Sequence, residues 1–181
     1  MKTSTLFEPL TLRSVNLPHR GWVSPMCQYS CDPVHAPGVP NDWHLVHLGS
    51  FATGGAALII AESTAVNPEG RISPRDTGLW NDAQVAAWQR ITHFVHAHSH
   101  DAKIGIQIGH AGRKGATYPP TTGPDGTVPT SEGGWQTLAP TDAAFGHYSA
   151  PLAMTVEQIH AVIEDFAEAA KRAVAAGFDL I

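Results

Sequence analysis

The chain has 181 residues, 43% of them apolar, which is enough to bury one core. Its formal charge is −5, and its 11 Lys and Arg form no stripe, which argues against a nucleic-acid partner. The chain opens without a continuous apolar segment, and its longest purely apolar run, Ala56 to Ala61, is too short to span a bilayer; with only two cysteines, a reducing, cytoplasmic setting without membrane contact is expected.

Trp22 to Ser24 reads as a first strand, closed by Pro25. After a loop, Asn41 or Asp42 can cap a helix over "NDWHLVHLGSFATGG", and Gly54-Gly55 can end it. "AALIIAES" is a short apolar run ending in polar residues, and predicts a buried second strand. Asn81 or Asp82 opens the next helix, where Val85, Trp88, Thr92 and Val95 lie near one stripe that Ile91 and Phe94 widen.

"KIGIQIG" predicts a third strand. Ile104, Ile106 and Ile108 fall on one face, and Gly105, Gln107 and Gly109 on the other, where small neighbours leave room around the amide. A loop rich in Gly, Pro and Thr then runs from about Ala111 to Ala153, long enough to suggest function. Thr155 and Gln158 form a capping box, and Val156, Ile159, Val162, Ile163, Phe166, Ala170 and Val174 make the apolar stripe of a third helix. Gly177 sits at its C-terminal end, and "FDLI" starts a fourth strand.

This alternation of strands and helices implies an α/β fold with parallel strands and right-handed crossovers. A doubly wound sheet would want a glycine-rich phosphate loop after its first strand, where this chain has "PMCQYSC". A (β/α)8 TIM barrel wants chemistry at the ends of successive strands. The chain offers Cys27 and Tyr29 after the first, Glu62 and Ser63 after the second, and Gln107, His110 and Arg113 at or after the third. The expectation is therefore a barrel with only its first four β/α units, residues 1–181 being the N-terminal half of one domain, truncated in strand four.

The stretches "LFEPLTLRSVNLPHR", "SPMCQYS", "IGIQIGHAGRK" and "AAKRAVAAGFDLI" carry a resemblance to the N-terminal half of the Old Yellow Enzyme family, FMN-dependent ene-reductases and NADPH dehydrogenases, in the branch with a cysteine after strand one. The resemblance implies FMN as cofactor, NADPH or NADH as hydride donor, an activated alkene or enone as substrate, and a homo-oligomer at full length. It further implies that Ser24, Pro25, Met26 and Cys27 line the flavin, that Ser63 contacts it, that Gln107 bonds the pyrimidine edge of the ring, and that Tyr29 reaches the substrate side. The family's paired histidines and tyrosine proton donor would follow Ile181, so no catalytic residue is assigned within the chain. The "HRGW" entry to strand one departs from the family, and Gly21 weakens that strand.

Two other readings stand beside this one. A non-catalytic half barrel would need a partner. A zinc module would use Cys27, Cys31 and His35, although their spacing is loose and the next pair, His44 and His47, falls on a predicted helix. His93, His96, His98 and His100 read as a solvated helix end, and Glu62 as an acid/base group or a structural hydrogen-bond partner. Arg113 and Lys114 could attract an anionic cofactor or a subunit, or simply be solvated. Trp43, Trp80 and Trp88 are expected in packing, and Trp135 either covers the site or anchors the loop.

Overall fold

Apolar alternation and capping residues build three parallel strands with helices on one side. The computed structural model describes residues 4–120 and 122–181. A short antiparallel hairpin comes first, β1 (Leu10–Leu12) and β2 (Val15–Leu17), with Leu10 opposite Leu17. Then follow β3 (Trp22–Val23), α1 (Asp42–Thr53), β4 (Leu58–Ala65), α2 (Asp82–His98) and β5 (Lys103–Gly109). The chain continues through β6 (Leu138–Ala139), β7 (Leu152–Ala153) and α3 (Val156–Ala175).

The main sheet has the order β3-β4-β5, all parallel. Beyond β5, Leu180 makes a parallel bridge to Gly105, and Asp179 N–H donates to Ile104 O at 2.8 Å. Each new strand thus adds to the same edge, in sequence order. That is the progression of a barrel wall; a doubly wound sheet reverses direction at a switch point. Among the described residues the barrel is not closed.

The third strand falls where its alternation places it. The second lies at Leu58–Ala65, two residues later than the apolar run indicates. Its polar end is buried because it is partnered: Thr64 Oγ1 meets Thr77 Oγ1 at 2.9 Å, and Glu62 is held by groups distant in sequence. Asn41, Asn81 and Thr155 each cap their helix, with His44, Gln84 and Gln158 reaching back.

The core lies between the sheet and the helices. Ile59, Ala61, Ile104 and Ile106 pack outward against Leu48, Ala52, Ile91 and Val95 around the fully buried Trp88, whose indole N–H donates to Gly78 O at 3.2 Å. On the opposite face, Leu17 and Val15 of the hairpin cover Leu58, Ile60 and Leu180 at the N-terminal end of the strands.

Two expectations change. The stretch from Ala111 to Ala153 is not structureless: β6 and β7 pair in parallel within it, Leu138 opposite Leu152. The third helix buries only Ala169 and Ala173 fully, while Val156, Ile159, Ile163 and Val174 of the anticipated stripe are exposed. Small side chains make its contact, so the large ones are left on the outer surface.

Candidate functional site

The expected site residues converge at the C-terminal ends of the three parallel strands. Ser24 and Pro25 leave β3, and Met26 to Tyr29 turn across the strand ends. A register break between Ala61 and Ser63 in β4 brings Ser63 directly opposite Gln107 of β5. Cys27 lies beside the Ser63 backbone and the Tyr29 side chain, both near enough to act on its thiol. Cys27, Ser63 and Gln107 therefore form one continuous edge.

Gln107 is exposed on this edge, its amide free to offer both a donor and an acceptor. A side chain at Gly109 would come within 3.3 Å of Ser63 Oγ, so the glycine keeps the strand end open. Gly105 plays a different part from the one anticipated. The space above it is taken by Leu180, whose Cβ would lie 3.3 Å from an added methyl. The room for a flat ring is thus confined to the Gly109 end.

Burial pushes the Cys27 thiol up, with the carboxylates of Asp76 and Glu62 adding to the effect. The Tyr29 phenol is also raised, first by burial and then by its proximity to Cys27. Both groups stay protonated at neutral pH, so the edge presents S–H and O–H donors rather than anions. Tyr29 has φ of 50°, the left-handed region unfavourable for a tyrosine.

Beside this edge lies a cleft of about 540 Å³ whose walls include Tyr29, Ile72, Lys114, Tyr118, Phe145 and Tyr148. Lys114 Nζ sits 4.0 Å from the centre of the Phe145 ring, and Arg113 is held on the same ring and on Ala143 O. Sequence patterning did not single out Phe145, which comes to the site from the long loop. His110 turns away, its Nδ1 accepting from Gly112 N–H and its ring against Gly70.

Sequence reasoning also missed the buried groups beneath the edge. Asp76 accepts from Ile72 N–H and Ser73 Oγ, each at 2.7 Å, and burial pushes its carboxyl up to about 6. Glu62 is the structural partner of the two roles open to it: it is 4% exposed and accepts Gln28 N–H at 2.9 Å. Arg71 lies between Trp80 and Trp135, and Trp135 Nε1–H donates to Glu69 O, so this tryptophan anchors its loop. Trp88 is in the core, but Trp43 is exposed.

The zinc reading is overturned. Among the described residues, no three His, Cys, Asp or Glu side chains gather into a metal site, and Cys27, Cys31 and His35 do not converge. Cys31 is fully buried, its thiol pushed up by desolvation. His93, His96, His98 and His100 are all exposed. No helix among the described residues is long and apolar enough to cross a membrane.

The sequence pattern of the NADH:flavin oxidoreductase / NADH oxidase family matches residues 5–181. The chain is 43% identical to an NADH:flavin oxidoreductase of Gibberella zeae, over 99% of the chain and 43% of that protein. It is 43% identical to an NADPH dehydrogenase of Listeria welshimeri, over 98% of the chain and 47% of that protein. Among solved structures, morphinone reductase in complex with tetrahydroNAD superposes with a TM-score of 0.78 at 30% identity, over 98% of this chain and 48% of that one. An old yellow enzyme homologue from Zymomonas mobilis gives 0.77 at 28% identity, over 98% of this chain and 47% of that one. The chain spans about half the length of the relatives it matches.

Proposed function

Because the chain belongs to the NADH:flavin oxidoreductase / NADH oxidase family, we propose that it supplies the flavin-binding wall of an FMN-dependent ene-reductase of the NADPH dehydrogenase type. When bound, FMN carries hydride from NADPH or NADH to an activated alkene. The chain's own residues position that ring and shape its surroundings. Gln107 bonds the pyrimidine edge, because a neutral amide satisfies an edge that alternates donors and acceptors, whereas a carboxylate or ammonium cannot. Ser24, Pro25, Met26 and Ser63 hold the ring along its rim. The protonated Cys27 thiol donates toward the ring and favours electron density there, and Tyr29 borders the substrate side.

The observation that carries this reading is the alignment of Cys27, Ser63 and Gln107 along one edge, with an uncharged donor-and-acceptor set and an open glycine beside it. Flavin titration tests it. Replacing Gln107 by Leu should weaken FMN affinity about tenfold, the loss of one to two hydrogen bonds. Unchanged affinity would remove Gln107 from the flavin site.

A second reading, a half barrel that associates without catalysing, draws on the exposed Val156, Ile159, Ile163 and Val174 of α3. Absorbance during size-exclusion chromatography separates the two. A yellow, folded peak supports the first reading, and a colourless assembly at saturating FMN supports the second.

A further inference from the structure

The lip of the site, Met26 to Cys31, is gripped from below. Trp43 Nε1–H of α1 donates to Gln28 Oε1 at 3.1 Å, and Asn41 Nδ2–H donates to Ser30 O at 2.7 Å. Beneath these contacts, Glu62 of β4 accepts the Gln28 backbone N–H at 2.9 Å through Oε2. Its other oxygen lies 3.3 Å from Nε2 of His44, which is 1% exposed.

The far side of the His44 ring is held by Asn41. Its Nδ1 lies 3.1 Å from both the Asn41 backbone N–H and Asn41 Oδ1. Nε2 faces the Glu62 carboxylate but is off hydrogen-bond alignment, so the contact is electrostatic. His44 itself packs edge-on to Trp88, at 6.4 Å between ring centres. Glu62 is thus braced by the core on one side and holds the lip on the other.

The bond to Gln28 falls one residue before the strained φ of Tyr29. A left-handed tyrosine is strained and persists only where its surroundings impose it. We infer that Glu62 is a positioning residue: braced by His44, its carboxylate fixes the Gln28 backbone, imposes the left-handed turn at Tyr29, and so holds Cys27 and Tyr29 side by side facing the site. The inference rests on the flavin reading only for what that pair faces; the clamp itself is tested without flavin.

The two cysteines give a built-in control. Cys27 is partly exposed and reports the lip, whereas Cys31 is fully buried and reports unfolding. Iodoacetamide labelling of the chain is followed at each thiol by mass spectrometry, in the original chain and in Glu62→Asp and Glu62→Gln. Glu62→Asp keeps the negative charge near Cys27 but withdraws the acceptor by one methylene. Glu62→Gln removes the charge and keeps the reach.

If Glu62 positions the lip, Glu62→Asp labels Cys27 about tenfold faster, the factor for losing one charge-assisted hydrogen bond, while Cys31 stays protected. Acceleration confined to Glu62→Gln would mean that only the electric field at Cys27 had changed, and would overturn the inference. Cys31 labelled in step with Cys27 in Glu62→Asp would reduce Glu62 to a fold-stabilising group, and also overturns it. An unchanged Cys27 rate in both variants does the same.

Discussion

Asp76 shows how a single buried carboxyl can set a pH response. Burial raises it from 3.8 to about 6, against hydrogen bonds from Ser73 and Ile72 that favour the anion. The folded chain therefore binds this proton more tightly than the unfolded one. Its contribution to stability is complete below about pH 4 and is lost as pH rises through about 6, on the order of 3 kcal/mol for two pKa units. Thermal melts of the original chain and of Asp76→Asn between pH 4 and 8 should diverge accordingly, the variant losing less stability across that window. Parallel curves would show that Asp76 titrates as it does in the unfolded state. Motif and alternation put Gln107, Ser63 and Cys27 at strand ends, and the structure sets Ser63 opposite Gln107. Asp76 and His44 were not legible in the sequence, since what distinguishes them is burial among partners from other segments.

Elements were legible where local pattern and tertiary packing agree. The alternation of "KIGIQIG" has one apolar side, and the helix layer takes that side, so β5 falls where the sequence puts it. Strand β4 runs further than its apolar pattern indicates because Glu62 and Thr64 are polar yet buried, their partners lying on the Met26–Cys31 lip, on α1 and at Thr77. The start of α2 is similarly tied to a remote loop. Gln84 is fully buried, accepts from Trp80 N–H and Asn81 N–H, and donates to Pro37 O. Gln84→Leu leaves two backbone donors and one carbonyl unpaired, and should cost about 2–4 kcal/mol in denaturant unfolding. A loss near that of an ordinary exposed cap, about 1 kcal/mol, would mean that water replaces these bonds.

Across the whole molecule, strand order and helix placement give a wall whose outer helix shows its larger apolar residues to solvent. Ile163 is 58% exposed and Val174 69%. Such a patch favours association, so elution volume should fall with rising concentration, and Ile163→Lys should weaken that dependence. A concentration-independent volume for both proteins would show the patch to be inert. The same arrangement carries a consequence for the order in which the fold comes apart. Helix α2 is locked by Trp88, Ile91 and Val95, whereas α3 buries only Ala169 and Ala173 fully, with Ala176 just beyond its end. Methyl groups bury little area, so α3 holds on by the least free energy of the three long helices. Its amides will exchange with deuterated solvent before those of α2, making the last helix in the sequence the first to let go.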